Sequence, residues 1–562
     1  MTLRLVNRRI RLLVFLFALA FAVTLARALW LQGVRAGNLD ALAASQHRET
    51  ITLPARRGTI YDRHGHRLAI GEQSTTVYAN PKEIVDPAAV AEKAATTLGV
   101  HERSVLALLS DRTKGFVYLA RKADSDKARL LERQRIVGLG FIPEERRTYP
   151  QRTVGAEVVG YAGVDNDGLS GLELELNGRL VGTEGSESVI RDPFGRVLKV
   201  LESKPARPGA NVYLTLDETL QAQVERILAE TRRTWEAKDA TAIVLDPRTG
   251  AVLAMAVEPG FDANRYPDVP RERQRNRAVT DTYEPGSTFK VVTLAGALET
   301  RMVTPRTKYV LPPEIHVADR IIHDAEPRGT ETMTVSEILT KSSNIGTITL
   351  ALGLGATELS RWIDRFGFGH QTGIDFPGES RGIVLPTDQW SGSTIGNVPI
   401  GQGIAVTPIQ MASVYAALAN DGEWIQPHLV QRIGHQATPA PERQRIVSTK
   451  TASELQRMLR GVVREGTGTE AQVPGYSIAG KTGTAAKPDP VLGGYSTSKY
   501  VSSFVGYLPA SKPRLCILVA VDEPKGAIWG GSVAAPAFAK IARFALQYLE
   551  VPPDRPGTLA PA

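Results

Sequence analysis

Residues 284–292 read Glu-Pro-Gly-Ser-Thr-Phe-Lys-Val-Val, and this stretch decides how the chain is interpreted. Glu-Pro-Gly indicates a turn, and the apolar run after it predicts a helix with Ser287 at or near its start. Three residues are almost one helical turn, so Lys290 returns to the face that carries Ser287. Burial among apolar residues lowers the pKa of a lysine, which suits a base for a serine nucleophile. Taken alone, however, such a motif is more often a serine that caps a helix bearing a solvated lysine.

Two further short motifs follow in order, Ser342-Ser343-Asn344 and then Lys481-Thr482-Gly483. The patterns S-x-N and K-T-G occur once each, whereas S-x-x-K occurs a second time, from Ser496 to Lys499. The serine and asparagine of the second motif could relay a proton and hold a substrate peptide group. The alternative is a polar helix junction with a serine cap.

In the third motif, Lys481 with the hydroxyls of Thr482 and Thr484 suits a carboxylate. Gly483 leaves room for a substrate backbone to lie alongside. The alternative is an edge strand that ends in a glycine turn.

Residues 475–482 also match the phosphate-binding pattern G-x-x-x-x-G-K-[ST] in full. That loop requires a buried strand before it and a helix after it, because the helix N-terminus holds the phosphates. Residues 467–474 read Thr-Gly-Thr-Glu-Ala-Gln-Val-Pro, which does not predict a buried strand. Pro488, Pro490, Gly493 and Gly494 exclude an ordinary helix afterwards. The sequence therefore predicts no nucleotide hydrolysis.

The N-terminus predicts a membrane anchor. Four arginines lie within the first 11 residues, and residues 12–25 carry no charge. The segment 12–31 is 20 residues long and spans about 30 Å as a helix, enough to cross a bilayer. The arginines predict a cytoplasmic N-terminus and an exported remainder of the chain. Ala26-Arg27-Ala28 also fits a signal-peptidase site, so a cleaved leader stays open as the alternative.

Composition excludes several classes of function. The chain has 562 residues, 42% hydrophobic and 22% charged, which predicts two or three folded domains. A net charge of +8 is modest, and no nucleic-acid motif is present, so no nucleic-acid partner is expected. Cys516 is the only cysteine, which excludes an intrachain disulfide. His64 and His66 lie in a turn-rich stretch without a further ligand cluster, so no metal or other cofactor is expected.

The pattern of secondary structure predicts an α+β fold. A helix over 218–234 precedes strands over 241–245 and 251–257, which a turn joins into a hairpin. Strands over 501–507 and 515–521 flank a further turn, and apolar residues recur at helical spacing over 538–549. Hairpins with helices at both ends predict an antiparallel sheet between helical layers. Residues 89–109 and 127–137 are predicted helical, and the Pro-rich tail is predicted disordered.

The ordered trio S-x-x-K, S-x-N and K-T-G is the signature of penicillin-binding proteins and serine β-lactamases. The chain as a whole resembles a class B penicillin-binding protein, most closely the FtsI type of cell division. Ser-Ser-Asn as the second motif is similar to the division enzymes rather than the elongation enzymes. The other segments that carry the resemblance are Leu29–Gln32, Arg57–Arg63, Arg147–Pro150, Gly168–Glu173, Asp192–Arg196, Asn276–Val279, Gly401–Gly403 and Trp529–Pro536.

The resemblance implies a domain order. It comprises a basic cytoplasmic N-terminus (1–11), a transmembrane anchor (12–31), an elongated non-catalytic pedestal domain (32–205), a transpeptidase domain (206–550) and a Pro-rich tail (551–562). It further implies a single-pass protein of the cell membrane, held in the lipid by its anchor. The catalytic domain is expected on the extracytoplasmic side, in the periplasm.

The resemblance also implies catalytic roles. Ser287 attacks the D-Ala-D-Ala carbonyl of a peptidoglycan stem peptide, expels the last D-Ala and forms an acyl-enzyme. Lys290 takes the serine proton, with Ser342 and Lys481 as relay. The backbone amides of Ser287 and Thr484 form the oxyanion hole. An amine from a neighbouring stem then resolves the acyl-enzyme.

Substrate-binding roles follow from the same resemblance. Ser343 and Asn344 bind the donor peptide, and Thr482, Gly483 and Thr484 bind its carboxylate end. β-Lactams are expected to acylate the same serine. The expected protein partners are a SEDS-family glycosyltransferase of the FtsW kind and other division proteins.

Rival functions use the same motifs. A β-lactamase or a carboxypeptidase would admit water to the acyl-enzyme, and neither explains a pedestal of this size. An elongation-type transpeptidase stays open, as does a penicillin sensor or scaffold without catalysis.

Overall fold

The computed structural model describes residues 2–34, 48–191, 197–489 and 493–555. It forms two compact units, the first of residues 1–56 and 182–209, the second of residues 57–181 and 210–562. Asp192–Arg196, one of the segments that carry the family resemblance, lies outside the described residues.

The first unit contains the N-terminal helix, Thr2–Leu29, which continues as a π-helical segment over Trp30–Val34. From Val6 to Gly33 it is long and apolar enough to cross a membrane, and its side chains are not buried against the protein. This agrees with the predicted single-pass anchor. The unit also holds a three-stranded antiparallel sheet of Arg48–Leu53, Gly185–Arg191 and Val197–Lys204, in that order.

The N-terminal part of the second unit is built on a seven-stranded mixed sheet. Its strands are Ile60–Tyr61, Arg67–Ala79, Val117–Asp124, Leu139–Thr148, Val212–Leu214, Val430–Ile433 and Gln436–Ala437. Its helices are Pro87–Leu98, Glu102–Ser110, Ser125–Glu132, Ala156–Val159, Gly171–Glu175 and Asn177–Leu180. The helix predicted over 89–109 is therefore two helices, because Gly99 ends the first with a φ of 75°. A two-stranded ladder joins Tyr161–Ala162 to Gly168–Ser170.

Three of the segments that carry the family resemblance meet in one buried ion cluster. The Glu173 carboxylate accepts from Arg57 Nε at 2.7 Å and from Arg147 Nε at 2.6 Å, and Tyr149 Oη donates to it at 3.3 Å. All four side chains are buried. Because a buried charge is tolerated only when it is paired and hydrogen-bonded, each segment requires the others.

The part of the second unit that carries the three motifs, called the catalytic part after its expected role, is built on a five-stranded antiparallel sheet. Its strands, in spatial order, are Val252–Glu258, Asp239–Leu245, Leu515–Asp522, Tyr495–Leu508 and Ala479–Pro488. Helices Glu218–Thr234 and Gly530–Tyr548 bury one face, and helix Pro408–Ala419 packs on the other. The predicted antiparallel sheet between helical layers is confirmed. Ala479–Pro488, which carries the K-T-G motif, is an edge strand and is called the K-T-G strand below.

A helical subdomain lies beside this sheet. Lys290–Glu299, the nucleophile helix, packs on Asn344–Leu354, Ala356–Arg365 and Thr449–Glu465. The remaining helices are Arg277–Thr280, Val335–Thr340 and Thr394–Asn397, with 3-10 turns at Ala263–Asp268, Arg271–Arg273, Gly286–Phe289, Thr387–Gln389, Val398–Ile400 and Thr469–Ala471. The remaining strand pairs are Lys308–Leu311 with Glu331–Thr334, Glu314–Val317 with Arg320–His323, and Glu423–Ile425 with Arg443–Arg445.

The first residues of the tail pack on the catalytic part, contrary to the disorder predicted for them. The Asp554 carboxylate accepts from Ser477 N at 2.7 Å and from Ser511 Oγ at 2.6 Å. Tyr476 Oη donates to Val551 O at 2.6 Å, and Val551 is buried. Residues 556–562 of the tail lie outside the described residues. The prediction failed because these contacts are with residues some 75 positions away.

Candidate active site

The nucleophile candidate, Ser287, lies where sequence predicts it, in a turn that feeds a helix. It is in the 3-10 turn Gly286–Phe289, directly before the nucleophile helix. Ser287 is partly exposed, whereas Phe289 and Lys290 on either side of the junction are completely buried. Gly286 has a φ of 54°, and a Cβ there would lie 3.0 Å from the carbonyl oxygen of Thr484. The glycine therefore lets the nucleophile turn approach the K-T-G strand closely.

Lys290 is enclosed by oxygen atoms of the second motif. Its Nζ donates to Ser342 O at 2.6 Å, to Ser342 Oγ at 3.2 Å and to Asn344 Oδ1 at 2.7 Å. Burial and the nearby charge of Lys481 hold the pKa of Lys290 well below its usual range. The structure thus brings S-x-x-K into contact with S-x-N, and the alternative of a solvated lysine is wrong.

Ser342 holds a backbone conformation that non-glycine residues rarely adopt, with a φ of 60°. This kink follows helix Val335–Thr340 and precedes helix Asn344–Leu354. It turns both the carbonyl and the hydroxyl of Ser342 toward Lys290. Rare backbone conformations of this kind cluster at functional sites.

Ser343 has a supporting place rather than the substrate contact predicted for it. It is completely buried and caps helix Asn344–Leu354, with its Oγ accepting from Gly346 N at 3.0 Å. The same hydroxyl donates to Asp324 Oδ2 at 3.0 Å. For this residue the alternative interpretation, a helix junction with a serine cap, describes the structure.

Asp324 is the residue of this site that sequence reasoning missed. Its carboxylate accepts from Ser343 Oγ, from the backbone N–H of Asn344 and from Ile345 N at 3.2 Å. Arg328 Nε lies 3.1 Å from it. The only local signal is an aspartate followed four residues later by an arginine, about 20 positions before the motif it supports.

Lys481 is completely buried, like Lys290, but has fewer partners. Its Nζ donates to Thr482 O and Thr482 Oγ1, both at 3.2 Å. Burial lowers the pKa of Lys481 to about 7. The positive charge of Lys481 contributes to the lowered pKa of Lys290.

The two threonine hydroxyls of the third motif lie along the K-T-G strand. Thr482 Oγ1 is 2.6 Å from Thr467 Oγ1, and Thr484 Oγ1 accepts from Gly530 N at 3.0 Å. Because the Thr484 hydroxyl accepts in that bond, its own proton remains available for a further acceptor. Thr484 is partly exposed, whereas Thr482 is buried.

Gly483 makes room for neighbouring parts of the protein itself. A Cβ at Gly483 would lie 2.3 Å from Ser503 Oγ, 2.9 Å from Pro285 O and 3.0 Å from Thr288 Cγ2. Pro285 and Thr288 belong to the segment around the nucleophile. The third motif therefore fixes how closely its strand and the nucleophile turn can pack.

Two rival patterns find no support in the structure. Residues 479–488 form a strand that pairs with Tyr495–Leu508, so no helix follows the phosphate-loop pattern. The second S-x-x-K lies in that pairing strand, where Ser496 Oγ accepts from Lys499 N at 3.1 Å and Lys499 is exposed. Neither pattern has the surroundings that its chemistry requires.

Near the two histidines the structure supplies acidic groups that sequence reasoning did not find. Asp62, His66 and Glu218 place potential ligand atoms within 4.8 Å of one another. His64 Nε2 lies 3.1 Å from Asp217 Oδ2. Three backbone N–H groups, those of residues 64, 66 and 218, donate to the Asp62 carboxylate. These hydrogen bonds give Asp62 a structural role, because they connect the turn that carries the two histidines to the first residue of helix Glu218–Thr234.

Comparison with known protein families identifies two matched regions. The family described as the penicillin-binding protein transpeptidase domain matches residues 240–543. The penicillin-binding protein dimerisation domain matches residues 52–214.

Full-length relatives agree with these matches. Penicillin-binding protein PbpB of Mycolicibacterium smegmatis is 36% identical over 93% of this chain and 87% of its own length. The peptidoglycan D,D-transpeptidase FtsI of Escherichia coli K12 is 32% identical over 98% of this chain and 93% of its own length. A crystal structure of penicillin-binding protein 3 from Mycobacterium tuberculosis complexed with aztreonam superposes with a TM-score of 0.72 and 31% identity, covering 91% of this chain and all of that one.

Proposed function

This chain belongs to the class B penicillin-binding proteins of the FtsI type and is a serine D-Ala-D-Ala transpeptidase, and we propose that Ser287 carries its acyl-enzyme. Membership of the family makes peptidoglycan its substrate and β-lactams its ligands. The proposal concerns which residues perform the reaction and in what order. The observation that carries it is the enclosure of Lys290 Nζ by Ser342 and Asn344 beside the turn that holds Ser287.

Acylation begins with proton transfer from Ser287 to Lys290. The lowered pKa of Lys290 favours the neutral amine, which is the form that can accept the proton. Ser287 Oγ then forms an ester bond to the penultimate D-Ala carbonyl, and the bond to the terminal D-Ala nitrogen breaks. Lys290 returns its proton to that leaving amine through Ser342 Oγ, which lies 3.2 Å away, while Lys481 contributes its positive charge rather than a proton. The backbone N–H groups of Ser287 and Thr484 hold the oxyanion meanwhile.

The K-T-G strand binds the donor peptide. As an edge strand it can accept an extended peptide as an added strand, with backbone hydrogen bonds that suit any stem sequence. The terminal carboxylate lies against the Lys481 ammonium and the hydroxyls of Thr482 and Thr484. Asn344 holds the donor amide, while Ser343 and Gly483 position these groups without contacting substrate.

Deacylation completes the cross-link. An amine of a neighbouring stem attacks the ester carbonyl and gives a proton to Lys290. The amide bond forms as the ester bond to Ser287 Oγ breaks, and Lys290 then returns that proton to Ser287. A SEDS-family glycosyltransferase of the FtsW kind supplies the glycan strands, and other division proteins bind the pedestal. The single-pass anchor has its arginine-rich end in the cytoplasm, so the catalytic domain faces the extracytoplasmic side.

The assignment of Ser287 is tested with a fluorescent penicillin. Ser287→Ala is expected to abolish covalent labelling with no change in melting temperature, because one partly exposed hydroxyl contributes little to packing. Ser496→Ala, in the second S-x-x-K, is the matched control and should label like the wild type. Labelling that persists in Ser287→Ala, or that disappears in Ser496→Ala, contradicts the assignment.

A second experiment separates cross-linking from the rival functions. The full-length protein is incubated with lipid-linked donor strands and a polymerase, and cross-linked dimers are counted after digestion. Dimers that require Ser287 support the transpeptidase. Rapid loss of the penicillin label, as in a β-lactamase, or a stable label without cross-links, as in a sensor, contradicts it.

A further inference from the structure

Asp324 lies outside all three sequence motifs, yet it holds the start of helix Asn344–Leu354. Its side chain is 1% exposed and accepts from three donors, which are Ser343 Oγ and the backbone N–H groups of Asn344 and Ile345. A carboxylate is favoured here because the first N–H groups of a helix have no intrahelical acceptor and the helix dipole attracts negative charge. Arg328 Nε, 3.1 Å away, balances the charge.

Asp324 and its neighbour together fix the orientation of Asn344. Asn344 N donates to Asp324, and Asn344 Nδ2 donates to the carbonyl oxygen of His323 at 3.0 Å. The backbone and the amide nitrogen of Asn344 are therefore both held. Its remaining side-chain polar atom, Oδ1, lies 2.7 Å from Lys290 Nζ. The side chain that contacts the catalytic base is therefore oriented by residues 323 and 324.

Asp324 also acts on Lys290 by charge. After burial, the charges that affect the pKa of Lys290 are Lys481 and Arg328, which lower it, and Asp324, which raises it. Lys481 comes from the K-T-G strand, whereas Asp324 and Arg328 come from the segment after strand Arg320–His323. The pair thus applies two opposite charges to the same buried amine.

We propose that Asp324, paired with Arg328, is a positioning residue that sets the orientation of Asn344 and the balance of charge around Lys290. This inference rests on the proposed function, in which Lys290 is the base and Asn344 a substrate ligand. It adds a residue pair to the catalytic apparatus that none of the three motifs contains.

The test is the pH dependence of the second-order rate of penicillin acylation, measured on the full-length protein in detergent. Its acid limb reports the pKa of the base in the free enzyme. Asp324→Asn removes the charge that raises this pKa and should move the acid limb to lower pH. Arg328→Gln removes a charge that lowers it and should move the limb to higher pH. Asp324→Ala, which also removes the acceptors, should reduce the plateau rate about tenfold.

Matched controls are Glu358→Gln and Arg361→Gln, an ion pair at 2.9 Å on the surface of helix Ala356–Arg365. Both should leave the profile unchanged. Asp324→Asn keeps the size of the side chain and one oxygen acceptor, so it tests the charge even where Asp324→Ala does not fold. An acid limb that stays in place in both Asp324→Asn and Arg328→Gln, or moves the same way in both, overturns the inference. Because Ser287→Ala is measured alongside, labelling of that variant would instead overturn the proposed function.

Discussion

Lys290 and Lys481 are both completely buried, yet the groups around their ammonium nitrogens differ. Three oxygen atoms surround Lys290 Nζ, but burial together with two nearby cations keeps its pKa well below the usual range. Lys481 has a pKa of about 7. The lowered pKa of Lys290 favours the neutral amine that a base requires, and Lys481 keeps the charge that a carboxylate ligand requires below about pH 7.

The first prediction concerns the pH–rate profile of penicillin acylation in single lysine variants. The acid limb reflects protonation of Lys290, and the alkaline limb reflects loss of the Lys481 ammonium above about pH 7. Lys481→Arg keeps its charge at every accessible pH and should lose the alkaline limb while retaining measurable acylation. Lys290→Arg cannot supply a neutral base and should reduce the rate nearly as far as Ser287→Ala does.

The control for this experiment is Lys499→Arg, at the exposed lysine of the second S-x-x-K, which should leave both limbs unchanged. Equal losses of rate in Lys290→Arg and Lys481→Arg would mean that Lys481 must also release its proton. The division of roles between the lysines would then be wrong.

At the scale of secondary-structure elements, the site depends on how closely the K-T-G strand approaches the nucleophile turn. Gly483→Ala introduces a Cβ that would lie 2.3 Å from Ser503 Oγ and 2.9 Å from Pro285 O. The serine can rotate, but the backbone carbonyl must move, so we expect a cost of about 1–3 kcal/mol in stability. The acylation rate should fall even in the protein that remains folded, because the nucleophile turn moves relative to Lys481.

Thermal unfolding and penicillin acylation measure the two effects in one preparation. Gly178→Ala is the matched control, since a Cβ there meets no atom within 4 Å. A Gly483→Ala variant with unchanged acylation would show that the contact between strand and turn does not position the catalytic groups.

Features that depend on interactions between neighbours in the sequence were predictable, whereas features that depend on distant residues were not. Helix Glu218–Thr234 has the predicted bounds, because its cap, Asp217, and its apolar spacing are local signals. The sheet hairpins were predictable for the same reason. The role of Asp324 and the close packing at Gly483 were not predictable, since their partners are distant in the chain and no periodic pattern marks them. Family resemblance named the motif residues but not what holds them in place.

At the scale of the whole chain, Val551 and Asp554 at the start of the tail bond to the catalytic part. Asp554→Asn weakens the bonds from Ser477 and Ser511 and should cost about 1–3 kcal/mol. Burial raises the pKa of Asp554, but the hydrogen bonds from both serines lower it by a larger amount. The net shift of the pKa is therefore downward. The contribution to stability is therefore present above the unfolded pKa and is lost as pH falls through the folded one.

Melting temperatures of wild type and Asp554→Asn should accordingly differ at neutral pH and converge on acidification. Asp126→Asn, at an exposed surface aspartate, is the control and should have no effect at either pH. A difference that grows on acidification would contradict the role given to the Asp554 carboxylate.

The last prediction concerns the anchor, whose retention decides where the whole molecule acts. Ala26, Arg27 and Ala28 lie inside helix Thr2–Leu29, where the backbone groups bond to the adjacent turns rather than to a protease. The Arg27 guanidinium lies 5.3 Å from the Trp30 ring, which suits the far membrane interface. We therefore expect the full chain to stay in the membrane fraction after alkaline carbonate, with its original N-terminus. Ala28→Leu, which blocks a signal-peptidase site, should give a product of the same length. A wild-type product that begins at Leu29, beside a longer Ala28→Leu product, would show that the segment is a cleaved leader and that the catalytic domain is released.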